Sequence, residues 1–107
     1  MIFHITSRAA WESALGAGIY ETDSLATEGF IHCSTADQYI WVANQRFRGR
    51  TDLVLLHIDP ARLRSEVRYE NLEGRETLFP HVYGAIPIGA VLNVVALRPL
   101  EDGSFRA

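Results

Sequence analysis

The chain has 107 residues, of which 48% are hydrophobic and 21% charged, the balance of a soluble globular protein that folds as a single domain over residues 1–107. Its net charge is −3 and all ten basic residues are arginine, so overall charge does not attract nucleic acid or anionic membranes. One cysteine excludes an intrachain disulfide. The first residues do not show the pattern of a signal peptide and no apolar run reaches about 20 residues, so we expect a cytoplasmic protein with no membrane partner.

The first half of the chain alternates strand and helix patterns. Residues 2–6 predict a strand, and residues 7–18 predict a helix that a hydroxyl residue caps and a glycine ends. Residues 23–29 predict a connector with at most one helical turn. Residues 29–34, "GFIHCS", predict a second strand. A second helix is expected over residues 35–47, where Thr35 and Gln38 form a T-x-x-Q capping box.

The second half predicts mostly strands. Residues 52–59 are nearly all apolar, which favours a central strand covered on both faces. The order of elements, with helices early and strands late, is typical of an α+β domain. The other segments predict a short strand (66–72), a turn (73–76), an ordered loop with at most one short strand (78–89), a final strand (90–100) and a frayed tail (101–107).

Strand alternation sorts the polar side chains of the first two strands. His4 and Thr6 share one face of their strand, and His32 and Ser34 share one face of theirs. Cys33 then points away from His32, which disfavours both a metal site and a Cys/His dyad. If the strands are neighbours, the two imidazoles and two hydroxyls form a polar platform suited to a ribose. The alternative, that each histidine is a core residue bonded to a backbone carbonyl, is equally well supported.

Three further segments carry candidate ligand-binding groups. In "FPHVYG" (79–84), a stiff loop would present His81 and Tyr83, although a packed loop explains the same residues. Glu70 is a candidate acid or hydrogen-bond acceptor. Arg46 follows the pattern of a phosphate or nucleic-acid contact, or of a cation that complements the helix dipole. No compact metal-ligand spacing occurs, so no metal ligand is predicted.

Several motifs resemble those of known families. Through "SLATEGFIHCST", "YENL" and "LFPHVYGAIP", nearly the full length resembles a small bacterial family of uncharacterised one-domain proteins. More remotely, "FHITSRAAWESALGAGIY" is similar to the opening of ADP-ribosyltransferase domains. The long segment "FIHCSTADQYIWVANQRFRGRTDLVLLHID" resembles the middle of the NAD-dependent RNA 2′-phosphotransferases. This resemblance implies an ADP-ribosyltransferase-like split β-sheet with two main helices and NAD in its cleft.

The remote resemblance also implies roles for individual residues. His4 would hold a ribose hydroxyl, Arg46 would contact phosphate, and His81 would lie near the third catalytic position. Two positions depart from the transferase pattern. Ile5 replaces a glycine, and the segment 79–84 lacks the glutamate that many transferases place there. With Glu70 added from the residue pattern, the candidate site comprises catalytic His4, His32 and His81 and ligand-binding Thr6, Ser34, Arg46, Glu70 and Tyr83.

The sequence therefore supports one leading hypothesis and two alternatives. The leading hypothesis is a domain that binds NAD or a related ADP-ribosyl compound, with ADP-ribosyl transfer or phosphotransferase-type activity. Its partner would be a nucleotide-type small molecule. The first alternative is a module with the same pocket and no turnover. The second is a metal-dependent hydrolase that uses His32, His57 and His81.

Overall fold

The computed structural model describes residues 1–71 and 77–106, which form an α+β fold. The helices of these residues are α1 (Arg8–Ala17), α2 (Asp23–Thr27) and α3 (Tyr39–Arg46). The strands are β1 (Ile2–Ser7), β2 (Ile19–Tyr20), β3 (Ile31–His32), β4 (Leu53–Ile58), β5 (Val67–Glu70), β6 (Phe79–Val82), β7 (Ile86–Pro87) and β8 (Val91–Leu97). Short 3-10 turns cover Pro60–Arg62 and Ile88–Ala90.

The largest sheet has the strand order β1-β4-β8, and both of its strand pairs are antiparallel. The near-continuous apolar strand β4 lies in the middle, as its sequence predicts. Its side chains alternate between two buried layers: Val54, Leu56 and Ile58 on one face, Leu53 and Leu55 on the other. Both faces of β4 are therefore covered.

The two buried layers use different partners; the layer with Val54, Leu56 and Ile58 is the first core, and the layer with Leu53 and Leu55 is the second core. On the first face, β4 packs with Ile2, Trp11, Tyr20, Ile31, Cys33 and Val82, so this layer joins the large sheet to β3 and β6. On the second face, Leu53 and Leu55 pack with Phe3, Ile5, Ala43, Leu97 and Phe105. Helix α3 covers this second layer through Ala43, which has no exposed surface.

Two smaller sheets complete the fold. One has the order β3-β6-β5 and the other pairs β2 with β7, all antiparallel. Among residues 1–71 and 77–106, one bridge links the three-stranded sheets: Phe3 N–H donates to Ser34 O at 2.8 Å, and Ser34 N–H donates to Phe3 O at 2.7 Å. The first two predicted strands are therefore neighbours, but only at this one pair of residues.

The helix boundaries follow their capping residues. Ser7 Oγ accepts a hydrogen bond from Ala10 N–H at 3.1 Å, and Gly18 ends α1 with φ +82°. Glycine adopts this left-handed backbone without steric cost. The second predicted helix begins later than residue 35. One of the two hydrogen bonds of its capping box is present, in which Gln38 Oε1 accepts from Thr35 N–H at 2.9 Å. Residues 36–38 form a turn, and α3 starts at Tyr39.

Three expectations for the second half are corrected. Segment 78–89 contains two strands, β6 and β7, where at most one was expected. Residues 101–106 of the predicted frayed tail are anchored, because Phe105 is only 2% exposed. Asn44 Nδ2 donates to the Phe105 carbonyl, and the Phe105 N–H donates to Asn44 Oδ1. Strand β5 runs only from Val67 to Glu70, where a strand over 66–72 was predicted. The turn predicted at 73–76 lies outside the described residues. No helix in 1–71 or 77–106 has the length and apolarity to cross a bilayer.

Candidate functional site

A cleft of about 590 Å³ opens between the sheet β3-β6-β5 and helix α3. The sheet contributes His32, Glu70 and His81, and the helix contributes Trp41, Val42 and Arg46. This volume lies within the range of about 300–1,000 Å³ typical of small-molecule sites. The cleft is therefore large enough to hold a nucleotide-sized ligand.

Cross-strand pairing explains why polar groups share the cleft face of this sheet. His32 of β3 lies opposite His81 of β6, and His81 lies opposite Arg68 of β5. Directly opposite residues point to the same face, so alternation sends Ile31 and Val82 to the first core and the histidines to the cleft. The imidazole rings of His32 and His81 lie edge to face with centroids 5.4 Å apart.

Glu70 joins two side chains of the cleft through one oxygen. Its Oε1 accepts from Nδ1 of His81 at 2.9 Å and from the hydroxyl of Tyr83 at 2.6 Å. The hydrogen bonds from Tyr83 and then His81 lower the pKa of the Glu70 carboxyl, and the same carboxylate raises the pKa of Tyr83. An ionised carboxylate only accepts, so the neutral His81 ring carries its proton on Nδ1.

A second carboxylate–histidine pair lies at the cleft edge. His32 Nε2 and Glu28 Oε2 are 2.5 Å apart, and their side chains are 42% and 48% exposed. Gly29, with φ +90°, turns the chain between α2 and the strand that carries His32. Phe30 lies between the two pairs, with its ring centroid 4.9 Å from that of His32 and 4.1 Å from that of His81.

The predicted platform of His4, Thr6, His32 and Ser34 is wrong in its pairing of faces. The bridge places Phe3, not His4, opposite Ser34. Because strand side chains alternate with period two, this register gives Phe3 the face of Ser34 and turns His4 to the other side. Alternation along the sequence predicts which side chains share a face within one strand, but it does not give the register between two strands.

His4 instead belongs to a buried network. Its Nδ1–H donates to the carbonyl of His32 at 2.6 Å, so Nε2 accepts from the hydroxyl of Tyr20 at 2.7 Å. Burial lowers the pKa of His4 from 6.5 to about 4 and raises the pKa of Tyr20 to about 12. Thr6 opposes part of this rise in the pKa of Tyr20. His4 borders the cleft, but both ring nitrogens are engaged within the protein.

The structure brings together seven of the eight predicted site residues along one cleft. These are His4, His32, Ser34, Arg46, Glu70, His81 and Tyr83, whereas Thr6 lies outside it. Sequence reasoning missed Glu28, Phe30 and Tyr20. The spacing of Glu28 and His32, four residues apart, was a weak available signal. Nothing in the two-residue strand β2 marked Tyr20 as a partner of His4.

The geometry of the described residues does not favour a cysteine nucleophile or a metal site. Cys33 is 3% exposed in the first core, and burial raises its pKa from 9.0 to about 12, as expected for a buried apolar contact rather than a nucleophile. His57 lies against the ring of Phe3 with centroids 4.9 Å apart and does not border the cleft. The described residues, 1–71 and 77–106, contain no group of three or more potential metal ligands. Of the three histidines of the hydrolase alternative, His32 and His81 are neighbours, but His57 lies apart from them.

Comparison with known proteins places the chain in a family. A search of curated proteins finds no match. The crystal structure of protein CC0527 from Caulobacter crescentus is similar, with 32% identity and a TM-score of 0.88 over 98% of this chain and 92% of that one. Its solution NMR structure, also 32% identical, gives 0.81 over 98% and 90%. The family described as "Protein of unknown function (DUF952)" matches residues 5–94, and the chain belongs to that family.

Proposed function

We propose that the cleft binds NAD or a related ADP-ribosyl compound and that the protein transfers or releases the ADP-ribosyl group. One observation carries the proposal: a single cleft combines two carboxylate–histidine pairs, aromatic walls and Arg46. Ribose hydroxyls need donors and acceptors together, which imidazole–carboxylate pairs supply. Phe30 and Trp41 offer surfaces against which a base or nicotinamide ring can pack.

The charge of the cleft also supports this ligand class. Glu28 and Glu70 line it together with Arg46. Two carboxylates favour the cationic nicotinamide ring and the oxocarbenium-like transition state of ribosyl transfer. A guanidinium suits a phosphate oxygen through charge-assisted hydrogen bonds. The charges thus match the two ends of the proposed ligand.

The arrangement of the sheets supports an ADP-ribosyltransferase-like assignment. The sheets β1-β4-β8 and β3-β6-β5 adjoin through the one bridge between Phe3 and Ser34. Two half-sheets in contact beside a ligand cleft are what a split β-sheet would require. Ile5, which departs from the transferase glycine, also borders the cleft and would narrow the space available to nicotinamide.

Isothermal titration of the purified protein with NAD, ADP-ribose and nicotinamide tests the proposal. We expect heat with NAD and ADP-ribose, and at least tenfold weaker binding in Arg46→Ala and His32→Asn, because each removes a polar contact of about 1.4 kcal/mol. Glu12→Gln changes an exposed carboxylate on α1 and serves as the control. Absence of heat with all three compounds, from protein whose folding is verified by circular dichroism, refutes the proposal.

Release of nicotinamide separates the enzyme from the second candidate, a non-catalytic module. The missing glutamate in residues 79–84 and the side chain of Ile5 favour that candidate. Protein that binds NAD but releases no nicotinamide above the uncatalysed rate is a binding module. Release that depends on His32 or His81 identifies an enzyme.

A further inference from the structure

The imidazole of His81 is buried in the cleft wall and is fixed through one of its two ring nitrogens. It is 5% exposed, its Nδ1 bonds to Glu70, and the same Glu70 oxygen accepts from Tyr83. The pairing of β5 with β6 fixes the backbone positions of Glu70 and His81. Phe30 packs against the ring at a centroid distance of 4.1 Å, which limits its rotation.

This arrangement also fixes where the ring can accept a proton. With Nδ1–H donated to a carboxylate, the lone pair of the neutral ring lies on Nε2. An adjacent carboxylate stabilises the imidazolium that forms when Nε2 takes up a proton. The groups that face the ring are Glu70, Tyr83, Phe30 and His32, and Arg68 lies over the Tyr83 ring at 4.5 Å.

The other candidates in the cleft are less suited to accept a proton. Both nitrogens of His4 are engaged, with the His32 carbonyl and with Tyr20. His32 pairs with Glu28 where both side chains are more than two-fifths exposed, so solvent competes for its proton. The thiol of Cys33 belongs to the first core. His81 alone among these combines burial, a carboxylate partner and a place in the cleft wall.

We infer that His81 is the general base that activates the acceptor in this cleft, and that Glu70 and Tyr83 are positioning residues that hold its Nδ1–H tautomer. The inference rests on the proposed function and names its second substrate, water or another small hydroxyl compound. In the reaction with water, the oxygen attacks C1′ of the nicotinamide ribose and the C1′–N bond breaks. The bonding electrons pass to the nicotinamide nitrogen, the water proton passes to Nε2 of His81, and neutral nicotinamide leaves.

Nicotinamide release from NAD, measured against pH for wild type and variants, tests the inference. We expect His81→Asn, which keeps a donor for Glu70 but lacks Nε2, to lower kcat about 100-fold or more while Kd for NAD changes less than about threefold. Glu70→Gln should lower kcat about tenfold, because the ring loses the acceptor that holds its Nδ1–H tautomer. Tyr83→Phe should have a smaller effect in the same direction, and Glu12→Gln should have none.

A second measurement reports the tautomer without turnover. In 15N NMR spectra of the histidine rings, His81 should be protonated at Nδ1 in wild type, and Glu70→Gln should mix the two tautomers. Undiminished release in His81→Asn, or an Nε2–H tautomer in wild type, overturns the inference while NAD binding stands. Binding without any release by wild type also overturns it and leaves a binding module. Absence of heat with NAD removes the proposed function, and this inference with it.

Discussion

Lowering the pH should destabilise the protein through His4. The effect should appear at pH values where protonation of the protein's carboxyl groups still changes its stability little. His4 is 8% exposed, and its two ring nitrogens are bonded to the His32 carbonyl and the Tyr20 hydroxyl. Burial lowers its pKa from 6.5 to about 4; the bond to the His32 carbonyl opposes that shift, and the positive charge of protonated His32 adds to it. Protonation of the folded ring would also turn Nε2 into a donor, so the Tyr20 hydroxyl would have to rotate and accept from it.

The direction of the effect follows from proton uptake. Unfolded His4 takes up a proton below pH 6.5, whereas the folded ring resists protonation until about pH 4. The unfolded state therefore binds more protons in this window, and the free energy of unfolding falls as pH falls. The slope approaches about 1.4 kcal/mol per pH unit, and the loss between pH 7 and pH 5 is about 2 kcal/mol. The stability that neutral His4 provides is fully present above pH 6.5 and lost near pH 4.

Urea unfolding followed by tryptophan fluorescence at pH 7, 6 and 5 measures this loss. His4→Gln should be less stable than wild type at pH 7 but should lose about 2 kcal/mol less on going to pH 5. Tyr20→Phe is the matched control: it deletes the partner hydroxyl but leaves His4 buried, and burial is the largest cause of the lowered pKa. Parallel pH dependences for wild type and His4→Gln would refute the reasoning.

Three further predictions concern packing. Gly84→Ala should lower the free energy of unfolding by about 1–3 kcal/mol, because its Cβ would lie 2.7 Å from that of Ser65. Gly16→Ala is the matched helix variant: its Cβ meets nothing within 4 Å, so the melting temperature should rise. Phe105→Ala should cost about 3–5 kcal/mol in urea unfolding, because the ring is 2% exposed. Cys33 should resist thiol reagents at pH 8 in the native state and react in denaturant, because burial raises its pKa to about 12.

Each of these outcomes has a clear opposite. Equal melting temperatures for the two glycine variants would mean that Ser65 moves aside without cost. Wild-type stability in Phe105→Ala would mean that the C-terminal segment is not anchored in the second core. Native Cys33 that reacts as fast as in denaturant would mean that the thiol is accessible.

The sequence predicted the strands and helices best where a long pattern repeats. Strand β4 was predicted as central because an uninterrupted apolar run needs cover on both faces, and it lies between β1 and β8. Residue type predicted a cap of α1 at Thr6 or Ser7 and an end at Gly16 or Gly18, and the structure uses Ser7 and Gly18. The two-residue strands β2 and β7 are too short to show periodicity, so tertiary pairing alone creates them.

The candidate site was predicted in composition but not in arrangement. His32, His81, Glu70 and Tyr83 were each singled out, yet they were found in three separate segments with no stated contact. Antiparallel pairing of β5 and β6 brings Glu70 to His81. Glu28 and His32 meet because they are only four residues apart in the sequence. The first contact depends on register, which a single sequence does not fix.

The sequence by itself determined which residues could be buried and which strand faces are polar, because side-chain alternation is a property of each strand alone. The separation of His32 from Cys33 was settled in this way. Only the tertiary structure decided which faces meet. One bridge between Phe3 and Ser34 turns His4 into the core and leaves His32 with His81 at the cleft, since a shift of one residue between strands exchanges every side chain between faces.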